Sequence, residues 1–130
     1  MKKLHVVAVS LLVAQLAGAQ VITTVAGTSW LFPSSNLSSS SAPLGQISGV
    51  AMDAQGNLYI ADPENCLILK VTANGTLSII AGNGLPGHSG DGGPAVSASI
   101  SPTDLAIDSK GNIYIQEQSY VRMVTTAGAT

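Results

Sequence analysis

Residues 48–62 read SGVAMDAQGNLYIAD, and residues 103–117 read TDLAIDSKGNIYIQE. Laid over one another at a constant offset of 55, the two stretches share six identities: Ala51/Ala106, Asp53/Asp108, Gly56/Gly111, Asn57/Asn112, Tyr59/Tyr114 and Ile60/Ile115. The same offset places TTVAG at 23–27 over SIIAG at 78–82. Two separated matches at one offset mark an internal repeat, and a repeat constrains the fold more tightly than any single motif.

Each copy reads as short strands divided by turns. Val50 to Met52, Leu58 to Ala61, Leu67 to Val71 and Leu77 to Ala81 are brief runs of β-branched and aliphatic residues bounded by Gly, Asn, Asp and Pro. In Leu58-Tyr59-Ile60 the side chains alternate between two apolar faces, which suits sheets stacked on both sides. No helical period is sustained beyond the amino terminus. Four short antiparallel strands per repeat of this length predict an all-β chain built as a β-propeller fragment.

Within GVAMDAQGNLYIADPENCLILKV at 49–71, the strand ends VAG and IAG, and the loop GHSGDGGPA, the chain resembles the NHL-repeat family of six-bladed propellers of exported bacterial type, over roughly 21–126. The match is partial. Leu67 and Leu69 stand where basic third-strand residues are usual, although Lys70 and Arg122 remain. Asp104 replaces Gly49, and the second copy is two residues shorter after Glu117. The resulting division is a signal peptide at 1–19, a last strand (Val21 to Ala26) and Ser-rich loop at 20–47, a complete blade at 48–82, a Gly-rich loop at 83–102 and a partial blade at 103–130. One full blade and parts of two others leave apolar faces uncovered, so the expected partners are further blades of the same protein or other copies of the chain.

The amino terminus explains the export expectation. Met1-Lys2-Lys3 precedes a mostly apolar run to Leu16, and Ala17-Gly18-Ala19 is a small-x-small cleavage pattern, which predicts a mature chain from near Gln20 that is secreted or periplasmic. The apolar run is too short for a membrane span and is interrupted by His5, Ser10 and Gln15. After cleavage three cations face seven acids, a formal charge of −4, and no basic stripe exists for a nucleic acid. Cys66 is the sole cysteine, which excludes an internal disulfide and reads as a small buried hydrophobe.

The stretch GNGLPGHSGDGGPA at 82–95 contains two false leads. Gly82, Gly84 and Gly87 spell G-x-G-x-x-G, but Pro86, Gly90, Gly92, Gly93 and Pro94 forbid the helix whose N-terminus would hold a pyrophosphate. His88, Ser89 and Asp91 have the residue types of a triad, yet near neighbours in a glycine-rich loop do not converge as a triad requires. The two polar groups His88 and Asp91 are expected at the surface. Asp91 could offer oxygen to Ca²⁺, though one carboxylate is little charge for that ion. No cofactor is called for.

Asp53, Gly56 and Asn57 recur as Asp108, Gly111 and Asn112, and recurrence argues for turn structure. Individuality lies where the copies differ. Asp62 against Glu117, Ala61 against Gln116 and Gly49 against Asp104 fall near inner-strand ends, so Asp62, Asp104, Gln116 and Glu117 are the candidate ligand contacts. Trp30 and Phe32 read as cover for a blade edge, and Asn36 and Asn74 head formal N-glycosylation patterns. With no complete catalytic constellation, the first expectation is a non-catalytic scaffold that binds protein or carbohydrate. The resemblance also allows part of a calcium-dependent, lactonase-like hydrolase, since related six-bladed propellers include such enzymes.

Overall fold

A computed structural model describes residues 37–126. The signal segment, the strand expected at Val21–Ala26, Trp30, Phe32 and Asn36 lie outside the described residues. Within them the protein is all-β, with two short 3-10 turns and no helix long and apolar enough to cross a membrane.

Eight strands form two antiparallel sheets. The first sheet holds β1 (Leu37–Ser38), β2 (Gly49–Met52), β3 (Leu58–Asp62), β4 (Leu67–Val71) and β5 (Thr76–Ala81) in the order β1-β5-β4-β3-β2. The second holds β6 (Pro102–Ile107), β7 (Ile113–Glu117) and β8 (Val121–Val124) in the order β6-β7-β8. The repeat is visible in the registers. Ala51 pairs with Tyr59 and Val50 with Ile60 in the first sheet, as Ala106 pairs with Tyr114 and Leu105 with Ile115 in the second.

Alternation along the strands decides which sheet faces which. From β3, Tyr59 and Ala61 join Ile68 and Ala81 on one face, against Leu105, Ile113, Ile115 and Val124 of the second sheet. Leu58 and Ile60 point the other way, into a second cluster with Leu67, Leu69, Leu77 and Ala42. The face of the second sheet equivalent to Tyr59, Ala61, Ile68 and Lys70 carries Tyr114, Gln116, Val121 and Met123, and all four are exposed, Val121 at 69%. The two sheets thus stack in one sense: one face of the first covers the opposite face of the second, and the second leaves its own copy of the first face open.

The inner strands approach closely. A Cβ at Gly49 would overlap the Asp104 carboxylate and lie 3.2 Å from the Asp104 Cα, so the glycine allows β2 to meet β6. At the outer side, Gly82 has φ +99°, and a Cβ there would run into the Cys66 carbonyl. Cys66 itself is buried with φ 55°, in the left-handed region, and burial pushes its thiol above its ordinary value, with Asp62 adding to the shift.

Candidate functional site

The two Asp-x-x-Gly-Asn turns are geometric duplicates. Asp53 Oδ1 accepts the amides of Gln55 and Asn57, each at 2.9 Å, and Oδ2 accepts Asn57 Nδ2 at 2.8 Å and the Tyr59 hydroxyl at 3.3 Å. Asp108 repeats the set with Lys110, Asn112 and Tyr114 at the same four distances. Gly56 and Gly111 take φ +82° and +85°, the left-handed position of the turn. In both copies the asparagine side-chain bond is the largest cause holding the aspartate below its usual range. Desolvation and the neighbouring Asp108 push the Tyr114 hydroxyl the other way.

The strand ends are where the copies part. Asp62 is fully buried, and its oxygens accept the Gly45 amide (2.9 Å), the Asn65 amide (3.1 Å) and Asn65 Nδ2 (2.8 Å). Glu64 accepts the amide of Gln46 at 2.9 Å. The first copy therefore grips the segment leading into β2 with two acids and an asparagine.

Glu117, in the equivalent place, grips the segment leading into β6 by different means. Its Oε1 accepts the Ser101 amide at 3.4 Å and lies 3.5 Å from Arg122 Nη1, and its Oε2 is 2.9 Å from His88 Nδ1. Arg122, only 5% exposed, donates Nε to Asp91 Oδ1 (2.8 Å), Nη1 to the Ser99 carbonyl (2.9 Å) and Nη2 to the Ser89 carbonyl (3.0 Å). The His88 ring stacks on Tyr120, centroids 3.8 Å apart. Burying two charges is costly in isolation, and here the remaining donors and acceptors are taken up by neighbours. Among the described residues no buried side-chain nitrogen or oxygen lacks a partner.

This cluster alters the picture of the Gly-rich loop. His88 and Asp91, expected as surface groups, keep 36% and 67% of their side chains exposed while their polar atoms pair with Glu117 and Arg122. Arg122 replaces the Leu69 of the first copy, and a guanidinium buried in a strand needs acceptors, which the loop above it supplies together with Glu117, the partner of His88. His88, Ser89 and Asp91 do not bond one another as a triad would: the imidazole turns to Glu117, and the Ser89 carbonyl and the Asp91 carboxylate to Arg122. The loop doubles back on itself, Gly82 N bonding Ala95 O and Asn83 N bonding Ala98 O, each at 3.0 Å. No helix follows Gly87; Ala95–Ser97 makes a single 3-10 turn.

Of the nominated contacts, Asp104 and Gln116 are register partners on β6 and β7, and both are exposed. Val121, opposite Gln116 on β8, extends the row. Asp62 belongs to the other sheet. No three His, Cys, Asp or Glu side chains among the described residues are grouped to hold a metal ion. Sequence reasoning did not single out Arg122 and Tyr120 as members of a site. The signal for Arg122 was its place in VRMV, a lone cation at an inward position of an apolar strand.

Comparison with known proteins agrees with this architecture. The family profile SBBP, described as a β-propeller repeat, matches residues 90–115. Among solved structures, a structural-genomics protein of unknown function from Bacteroides thetaiotaomicron is 29% identical, with 58% of this chain and 20% of that chain covered and a TM-score of 0.52. Virginiamycin B lyase from Staphylococcus aureus is 17% identical, with 75% of this chain and 29% of that one covered and a TM-score of 0.48. The aligned part of this chain thus spans between a fifth and a third of those proteins' lengths. No curated protein matches the sequence. The repeat, the stacked antiparallel sheets and the matched profile make the chain an all-β segment of propeller type.

Proposed function

We propose that the chain is part of an exported NHL-type propeller that binds a protein or carbohydrate ligand at its strand-end surface and performs no catalysis of its own. The observation that carries the reading is how the acids are used. Asp62 and Glu117, the buried carboxylates among the described residues, direct their oxygens to loop amides, Asn65, His88 and Arg122. A carboxylate so employed holds backbone in place. Asp104 and Gln116, by contrast, are exposed beside Val121, and although Asp104 Oδ1 accepts the neighbouring Leu105 amide at 2.8 Å, the row is a polar and apolar mixture of the kind that contacts a ligand.

Peptide and glycan arrays probed with the purified chain test this. Capture of one ligand class should be lost in Asp104→Ala and Gln116→Ala and retained in Lys110→Ala, which lies in the turn at the far end of the hairpin. The lactonase-like alternative is separated by calorimetry and an assay. Stoichiometric Ca²⁺ binding that disappears in Asp104→Asn, together with lactone hydrolysis, would replace the scaffold reading with an enzyme.

A further inference from the structure

The turn between β4 and β5 shares its backbone with the two Asp-x-x-Gly-Asn turns. Thr72 N bonds the Thr76 carbonyl at 2.9 Å and Gly75 N the Thr72 carbonyl at 2.8 Å, as Asp53 N bonds Asn57 O and Gly56 N bonds Asp53 O in the first sheet, and Asp108 N and Gly111 N do in the second. Gly75 has φ +84°, beside +82° at Gly56 and +85° at Gly111. What precedes the left-handed glycine differs. Gln55 and Lys110 hold that place in the Asp turns, and Asn74 holds it here. Asparagine before glycine is the pair whose side chain can close on the next amide as a five-membered imide, with no Cβ in the way; glutamine would close a larger, slower ring and lysine none.

A second such pair, Asn83-Gly84, opens the Gly-rich loop, and both asparagines are exposed. Hydrogen bonding separates them. Asn74 is held only through its oxygen: Oδ1 accepts the Thr72 hydroxyl at 2.5 Å and the Thr76 amide at 3.2 Å, and Nδ2 has no partner among the described residues. Asn83 is held at both ends. Its Oδ1 accepts the Leu85 amide at 2.9 Å, and its Nδ2 donates to the Ser97 carbonyl and to Ser99 Oγ, each at 3.2 Å.

We propose that Asn74 is a site of spontaneous deamidation in the folded chain, and that Asn83, its match in sequence, is protected by the bonds on its side-chain nitrogen. Gly75 N attacks Asn74 Cγ; a C–N bond forms, the Cγ–Nδ2 bond breaks, and the proton lost from Gly75 leaves with Nδ2 as ammonia. Water then opens the imide. Opening at Cγ leaves aspartate, and opening at the main-chain carbonyl leaves isoaspartate, whose backbone runs through the side chain. The two donors on Asn74 Oδ1 stand where negative charge collects during the attack. One hydrogen bond opposes the step, that from Gly75 N to Thr72 O. At Asn83 the Gly84 amide has no partner to lose, but the departing nitrogen sits on two acceptors and the oxygen has a single donor.

The consequences differ as well. Aspartate at 74 keeps the oxygen that Thr72 and Thr76 bond. A carboxylate at 83 would set an oxygen against the Ser97 carbonyl and disturb the stretch whose Ser99 carbonyl receives Arg122. This inference is independent of the ligand reading.

The test incubates the full chain at mildly alkaline pH with and without urea, followed by peptide mapping with isoaspartate read by enzymatic methylation. Without urea Asn74 should convert about tenfold faster than Asn83, or more. Asn57, Asn65 and Asn112, which precede Leu58, Cys66 and Ile113, should stay intact over the same period. In urea Asn74 and Asn83 should react at similar rates, because glycine follows both. Ser99→Ala, which removes one acceptor, should speed conversion at Asn83 and leave Asn74 unchanged, and Asn74→Gln should abolish the first acidic species that ion exchange resolves. Equal rates at the two asparagines in the folded chain, faster conversion at Asn83, or a rate ratio that urea leaves unchanged would overturn the proposal.

Discussion

The hairpin turns and the strand-end clasps of the two sheets obey opposite rules. At the turns, Asp53 and Asp108 make the same four bonds at the same four distances. At the clasps, Asp62 works with Asn65 and loop amides, whereas Glu117 works with His88 and Arg122. A turn answers only to its own five residues and the tyrosine two places on, which both copies share, so nothing distinguishes one copy from the next. A clasp answers to the loop that reaches it, and the loops differ: Ser-rich before the first sheet, Gly-rich before the second. The repeated parts build the blade, and the diverged parts anchor each blade to its own connector.

The contrast breaks most visibly at Arg122. Arg122→Leu restores the residue of the first copy but strands the buried Glu117 and frees Asp91, and should cost about 3–5 kcal/mol in urea unfolding. The Leu69→Met change at the equivalent site, which keeps volume and polarity, should cost less than about 1.5 kcal/mol. Next comes Gly82→Ala, where φ +99° and the Cys66 carbonyl oppose a side chain. A loss of roughly 1–3 kcal/mol is expected, against a few tenths at the exposed Ala54→Ser.

The turns should lose stability equally. Asp53→Ala and Asp108→Ala each remove the acceptor of local amide bonds, and each should lower the urea midpoint by the same amount; a clear difference between them would show that the sheets are not equivalent there. Their acidity gives the sign of the pH response. Both aspartates are held below the usual carboxylate range, first by their asparagine side chains. A group depressed in the folded state adds stability above its unfolded value and loses it as pH falls through the folded one. Thermal melts should therefore fall as pH drops below the ordinary carboxylate range, and the Asp53→Asn, Asp108→Asn double variant should flatten part of that slope. Among the substitutions that remove a contact, a small effect is expected at Tyr120→Ala, where loss of the stacking on His88 removes about 0.5–1 kcal/mol and loosens the Gly-rich loop, read as faster amide exchange at Gly87 and Ser89.

Much of this architecture was legible because it is local or periodic. Runs of β-branched and aliphatic residues bounded by turn residues located the strands: the run Leu67 to Val71 coincides with β4, and the others lie within one residue of β2, β3 and β5. Alternation in Leu58-Tyr59-Ile60 assigned their faces. The clasps were not legible, because their bonds span the chain: Asp91 and Arg122 are 31 residues apart, His88 and Glu117 29. Asp62 and Glu117 drew notice for differing between copies, and difference alone cannot separate a carboxylate that meets a ligand from one that meets a loop. Only the burial of both and the direction of their oxygens make that distinction.

That distinction is measured most directly by unfolding Asp62→Asn and Glu117→Gln in urea beside the unaltered chain. Each substitution keeps the shape and removes the charge. A carboxylate that holds backbone and, at Glu117, a buried guanidinium must leave the fold weaker when neutralised, so both midpoints should fall, with Glu117→Gln the lower. Acids kept for a ligand are commonly neutral or unfavourable to stability. Midpoints that stay level or rise would contradict the assignment of these two residues to the fold.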